Sequence, residues 1–149
     1  DQKELVQAYV IDEARDKLVS GEAALGVVYS GGALWMIDAN EDLAFSIPEE
    51  GTNIWLDSWV IPANARHVEN AHAFIDFMCR PDIAALNCEY LTYSTPNNGA
   101  RDYIEDEYVL ESEEIFPDMD EMPELEAFNW LGEEMDQYYS DLWLRLKSS

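Results

Sequence analysis

Trp55 and Asp57 stand two residues apart in the stretch Ile54-Trp55-Leu56-Asp57-Ser58-Trp59-Val60-Ile61-Pro62-Ala63-Asn64-Ala65. In an extended strand, residues two apart share a face, so an indole and a carboxylate would lie side by side just ahead of Val60 and Ile61. An aromatic face beside an anion suits a cation, which the ring quadrupole attracts and the carboxylate neutralises. The same pattern fits a core tryptophan followed by an aspartate that caps a turn, and the stretch alone leaves both open.

Charge favours the cation. The chain has 149 residues, with 32 acidic against 8 basic side chains and a formal net charge of -24. Such a surface repels nucleic acid and anionic membranes and concentrates cations, although acidity also serves plain solubility. With 48% hydrophobic residues the chain can bury a core of one domain. No apolar stretch is long enough to span a bilayer, and no signal peptide is recognisable. Cofactors are not called for. His67 and His72 lack a metal-ligand pattern, and Asp118, Asp120 and Glu121 lack the alternation and central glycine of a calcium loop. Two cysteines, Cys79 and Cys88, are too few for a disulfide scaffold. They fall near the ends of consecutive predicted helices, where they could meet, but two buried thiols are the simpler expectation. No nucleophile elbow, metalloprotease motif or phosphate loop is present, so the chain does not read as an enzyme; a paired-carboxylate glycosidase remains compatible with composition.

The elements that would position the site alternate in type. Ala8, Ile11, Ala14 and Leu18 predict a helix over 3–19, stopped by Ser20-Gly21. Residues 25–29 form a short apolar run that predicts a buried strand ending at Tyr29. Ser30-Gly31-Gly32 then reads as a tight turn into a short helix over 33–37. Residues 43–47 predict a second strand, and Pro48-Glu49-Glu50-Gly51 a turn into the Trp55 segment. A helix over 68–78 places Ala71, Phe74, Ile75 and Met78 on one face, and Pro81 opens another running to about Tyr90. Tyr93-Ser94-Thr95-Pro96-Asn97 is a loop, followed by a helical turn over 100–103. Residues 105–126 are dense in Asp and Glu and read as a solvated surface segment with short helical turns. A last helix is expected from Pro123-Glu124, with Leu125, Phe128, Leu131, Met135, Tyr138, Leu142 and Leu146 as its apolar stripe.

Three segments carry a family resemblance: Gly21-Glu22 through Leu25-Gly26-Val27-Val28-Tyr29-Ser30-Gly31; Trp55-x-Asp57-Ser58 with Ile61-Pro62-Ala63-Asn64-Ala65; and Arg80-Pro81-Asp82 leading to Tyr93-Ser94-Thr95-Pro96-Asn97. In this order and spacing the chain resembles the spermidine/putrescine-binding proteins, the extracytoplasmic receptors of polyamine ABC transporters. The likeness runs from Asp1 to about Tyr103, fades through the acidic stretch and returns weakly in the last helix. It implies an α/β fold, a mixed sheet flanked by helices, taken from the C-terminal part of a two-lobed periplasmic-binding-protein-like fold of type II. The chain is accordingly expected to be a fragment: residues 1–47 a portion of the second lobe, 58–149 a portion of the first, and a hinge crossing near 47–57.

By resemblance Trp55 supplies a stacking surface, Asp57 a salt bridge to a ligand ammonium, and Tyr29 and Tyr93 flanking walls. An aromatic residue, often tryptophan, is found in the family at the position of Tyr29, so the tyrosine is a departure. Asn129 would correspond to an amide that hydrogen-bonds a ligand amine. The implied partners are putrescine or spermidine and the permease subunits of an ABC transporter, with no nucleic acid and with membrane contact only through the permease or an anchor outside this chain. The implied location is extracytoplasmic. Two other readings compete: a receptor of the same fold for an anion or another small solute, using backbone N–H groups at Ser30-Gly31-Gly32, and an acidic protein-interaction module.

Overall fold

The computed structural model describes residues 2–148; Asp1, where the resemblance begins, and Ser149 lie outside them. A 3-10 turn (Gln2–Leu5) is followed by α1 (Glu13–Val19), α2 (Ser30–Ala39), β1 (Thr52–Asn53), α3 (Val68–Met78) and α4 (Pro81–Leu91). A second 3-10 turn (Asn98–Tyr103), α5 (Glu107–Glu111), β2 (Leu125–Glu126) and α6 (Glu133–Ser148) complete the order.

α2 is the central element because its apolar residues are not confined to one face. Gly31, Ala33, Leu34 and Met36 are all buried, as expected of a helix enclosed on several sides. Ala33 and Met36 pack with Leu18 of α1, and Val28, Leu43 and Phe45 lie against this cluster. Leu34 belongs to a second cluster with Ala84, Ala85 and Cys88 of α4 and with Ala100, Ile104, Val109 and Ile115. The alanines let α4 and the second 3-10 turn approach closely. Polar staples fix the same joints: Asn40 Nδ2 donates to Val19 O at 3.0 Å, and Asn97 Nδ2 donates to Cys79 O at 2.7 Å while its Oδ1 accepts from Gly99 N at 3.1 Å. Glu89 Oε1 accepts from the backbone N–H groups of Glu105 and Asp106, at 2.7 and 3.0 Å. Arg101 lies over the Phe116 ring, 4.5 Å from its centroid, a cation–π contact at the edge of this cluster.

Several expectations hold. α3 covers the expected span, and Pro81 stands at the first position of α4, where its missing N–H would have had no helical partner. Others are corrected. The helix expected over 3–19 is regular only from Glu13; Val6, Tyr9, Val10 and Ile11 disfavour it, and Tyr9 instead packs edge-to-face on Trp143, centroids 5.3 Å apart. Residues 25–29 and 43–47 carry no helix or strand and form no ladder, and Leu25 and Val27 are almost wholly exposed. A strand exists only by pairing, and among the described residues the sheet is the parallel pair β1-β2 alone.

Ser30, Gly31 and Gly32 are not a turn but the first turn of α2, with Tyr29 as its N-cap in an extended conformation. The last helix begins at Glu133, because Leu125 and Glu126 are committed to β1 and Gly132 has φ +95°, so Leu125, Phe128 and Leu131 are not on a helical stripe. The acidic stretch is not merely a solvated surface: it inserts Val109 and Ile115 into the core. α3, whose face was expected to be apolar and inward, has no fully buried residue. Cys88 is buried, but Cys79 is exposed, and both are free thiols.

Ile115 is 2% exposed and its side chain is fully enclosed. Ile115→Ala should destabilise the fold by about 2–5 kcal/mol, measured by urea denaturation; a loss below 1 kcal/mol would show that the acidic stretch does not contribute to the core.

Candidate functional site

The Trp55 segment is anchored at both ends. Ahead of it, Thr52 N donates to Glu124 O at 3.1 Å and Ile54 N to Glu126 O at 3.0 Å. Gly51 makes that register possible: its φ of +107° is costly for other residues, and a Cβ there would run into the carbonyl of Glu124. Beyond it, Trp59 packs edge-to-face on Phe74 of α3, with centroids 5.3 Å apart. Residues 54–61 between the anchors are not a strand, so the shared face expected from alternation does not arise that way.

Tyr29, Trp55 and Tyr93 nevertheless come together. The Tyr29 and Trp55 centroids are 5.0 Å apart with rings at 64°, and those of Trp55 and Tyr93 are 6.2 Å apart at 75°. Trp55 thus stands between two phenols in edge-to-face contact with each, and it remains 40% exposed. Asp57 is exposed, and its charge reaches the Tyr93 phenol. Burial, first, and then Tyr29 and Asp57 hold the Tyr93 pKa above its ordinary value of 10.0, against an opposing pull from Arg15. Three sequence-derived positions therefore converge as rings, and the charge of Asp57 acts on one of them, Tyr93. Asn129 is exposed, and its Nδ2 donates to Ala127 O at 3.0 Å, a local bond.

Tyr93 owes its place to the end of α4. Thr92 terminates that helix in the left-handed region, φ 57°, with its N–H on Cys88 O at 2.8 Å. Cys88 Sγ donates to Tyr93 O at 3.0 Å. Burial, and then the charge of Glu89, push the Cys88 thiol pKa up, which keeps the donor protonated. Sequence reasoning did not connect Arg15 with the site. Its guanidinium lies over the Trp35 ring, 5.5 Å from the centroid, and its field reaches Tyr93; nothing in the spacing of residues 15 and 93 signals this. Among the described residues no group of three His, Cys, Asp or Glu side chains is arranged to hold a metal ion, and no helix is long and apolar enough to cross a membrane.

An exposed indole bracketed by two phenols, one of which feels the charge of Asp57, is an arrangement that suits an organic cation. Comparison with known proteins identifies the family. The model of bacterial extracellular solute-binding proteins matches residues 7–117, and the chain belongs to that family. It is 34% identical over 140 residues to the spermidine/putrescine-binding periplasmic protein of Salmonella typhimurium, covering 92% of this chain and 40% of that protein. The structure of the spermidine/putrescine ABC transporter substrate-binding protein of Streptococcus pneumoniae superposes with a TM-score of 0.78 at 36% identity, over 92% of this chain and 42% of that one. A candidate spermidine/putrescine ABC transporter protein from Listeria monocytogenes gives a TM-score of 0.82 at 41% identity, over 95% of this chain and 44% of that one. At these identities the α/β fold of the solute-binding proteins is established, and the chain spans about two fifths of the length of the curated relatives it matches.

The two thiols offer a check on the α4 end of the site. In the folded protein at about pH 7.5, iodoacetamide should alkylate Cys79 and spare Cys88, because burial both hides the latter and keeps it protonated. Equal labelling, read by mass spectrometry of the peptides, would contradict the burial of Cys88 at the end of α4.

Proposed function

We propose that this chain forms part of an extracytoplasmic polyamine receptor that captures putrescine or spermidine and presents it to the permease of an ABC transporter. The convergence of Tyr29 and Tyr93 on Trp55, with Tyr93 within the field of Asp57, carries the reading. The names of the relatives and the net charge of -24 support it. In this reading the receptor is not an enzyme, binds no nucleic acid and meets the membrane through its permease or an anchor outside this chain.

The assignment of roles follows from the ligand. Polyamines carry ammonium groups separated by methylenes, so a site needs a carboxylate for the charge and ring faces for the chain. Asp57 takes the ammonium, Trp55 the methylenes, and Tyr29 and Tyr93 flank them. Asn129, with its Nδ2 already given to Ala127 O, has its Oδ1 to accept from a ligand amine. Residues 47–57 serve as a crossing between lobes, with 1–47 belonging to the second and 58–149 to the first. In this division α2 spans the boundary: Leu34 shares a core with Ala84, Ala85 and Cys88, and Gly31 meets Thr92 and Tyr93.

Calorimetric titration of the full-length receptor separates the two kinds of contact. Asp57→Asn should weaken polyamine binding by about 10–100-fold, since a hydrogen bond to a charged group contributes roughly 1.5–3 kcal/mol. Trp55→Leu should cost a smaller factor, from about twofold to 30-fold, as a cation–π contact of roughly 0.5–2 kcal/mol allows. Unchanged affinity in Asp57→Asn would remove Asp57 from the site.

A further inference from the structure

We propose that Gly31 is a positioning residue of the ligand site, the seat on which the Tyr93 ring rests. The inference builds on the polyamine-site reading and adds to it a residue that touches no ligand. Glycine in a helix forgoes side-chain packing and loses more backbone freedom than alanine. Gly31 is nevertheless buried within α2. The reason lies on its Cα: a Cβ at this position would stand 2.6 Å from Tyr93 Cζ and closer still to Cδ2 and Cε2. No side chain tolerates such an overlap with a ring.

The same residue holds the chain that carries the ring. Thr92 Oγ1 lies 2.6 Å from the carbonyl oxygens of both Gly31 and Leu91, so its one proton is shared between them. Thr92 is a non-glycine residue at positive φ, a conformation that persists only where its surroundings fix it. Here these are the Gly31 carbonyl, the bond from its own N–H to Cys88 O, and the Cys88 thiol on Tyr93 O. Gly31 therefore meets the Thr92-Tyr93 corner twice, with its carbonyl and with the open space at its Cα. Gly32 supplies a natural control, since a Cβ there would meet only Arg15 Cδ, at an ordinary 3.6 Å. The two adjacent glycines have the same helical propensity and differ in what lies over them.

The test is a double-mutant cycle in the full-length receptor: Gly31→Ala, Tyr93→Ala, both together, and Gly32→Ala, each titrated calorimetrically with putrescine and spermidine. Gly31→Ala should weaken binding at least about tenfold by displacing the ring, and Gly32→Ala should stay within about twofold. In the Tyr93→Ala background the ring is gone, and Gly31→Ala should then cost less than about twofold. An equal loss from Gly31→Ala with and without the Tyr93 ring, or no loss in either, overturns the proposal. Should Gly31→Ala fail to fold, recovery of a folded protein in the double variant supports the seat, and failure of the double variant overturns it. If the unmutated receptor binds neither polyamine, the ligand reading falls by itself. The seat is then judged from the thermal midpoints of the same proteins: Gly31→Ala lowering the midpoint only when the Tyr93 ring is present supports it, and equal lowering in both backgrounds overturns it.

Discussion

The contact on which the site depends is the docking of the corner after α4 onto the first turn of α2. It places Tyr93 within 6.2 Å of the Trp55 centroid, and Trp55 in turn stands 5.0 Å from Tyr29 at the helix N-cap. Edge-to-face pairs contribute about 0.5–1.5 kcal/mol each beyond their buried area, too little to gather three rings from distant parts of the chain. The gathering is done by the backbone that carries them: the N-terminus of α2, the parallel ladder ahead of Trp55 and the left-handed Thr92. The rings then report, in their geometry, how well those three supports are aligned.

α2 is suited to this task because it is clamped from two sides. Ala33 and Met36 face the α1 cluster while Leu34 enters the α4 cluster, which leaves the helix little freedom to rotate without breaking one of them. Charge plays a different part. The described ion pairs include Lys17 with Glu22 and Arg80 with Asp82, both at the surface, where such pairs contribute little stability. Arg15, Arg101 and Lys147 lie over aromatic rings, and Arg80 does so in addition to its ion pair. The large excess of carboxylates therefore acts mainly as a field, one that draws cations toward the surface.

How far the sequence discloses this depends on how local each cause is. α3 and α4 were legible because their determinants sit within a few residues: apolar spacing, then Arg80-Pro81 at the junction. The helix now known to begin at Glu133 was misplaced toward Pro123 because a ladder with Thr52 and Asn53, far away in the chain, claims Leu125 and Glu126. Residues 25–29 and 43–47 have strand composition, yet a strand is a property of two segments, and among the described residues neither pairs with another. Val109 and Ile115 were hidden by their acidic neighbours, since burial of single side chains every few residues leaves no periodic trace. Of the site, Tyr29, Trp55, Asp57 and Tyr93 were named from the family resemblance; the pattern of Trp55 and Asp57 alone fits a core tryptophan and a capping aspartate better. Gly31's relation to Tyr93 and Arg15's field upon it arise only in three dimensions.

The central claim is that this surface recognises charge and not merely an aliphatic chain. The most direct measurement is calorimetric titration of the full-length receptor with putrescine and, under the same conditions, with the butanediol of equal chain length. The diammonium should bind, with an affinity that falls as salt is added, and the neutral diol should give no measurable heat of binding. Equal affinity for the two, or binding of neither by the folded protein, would contradict the account.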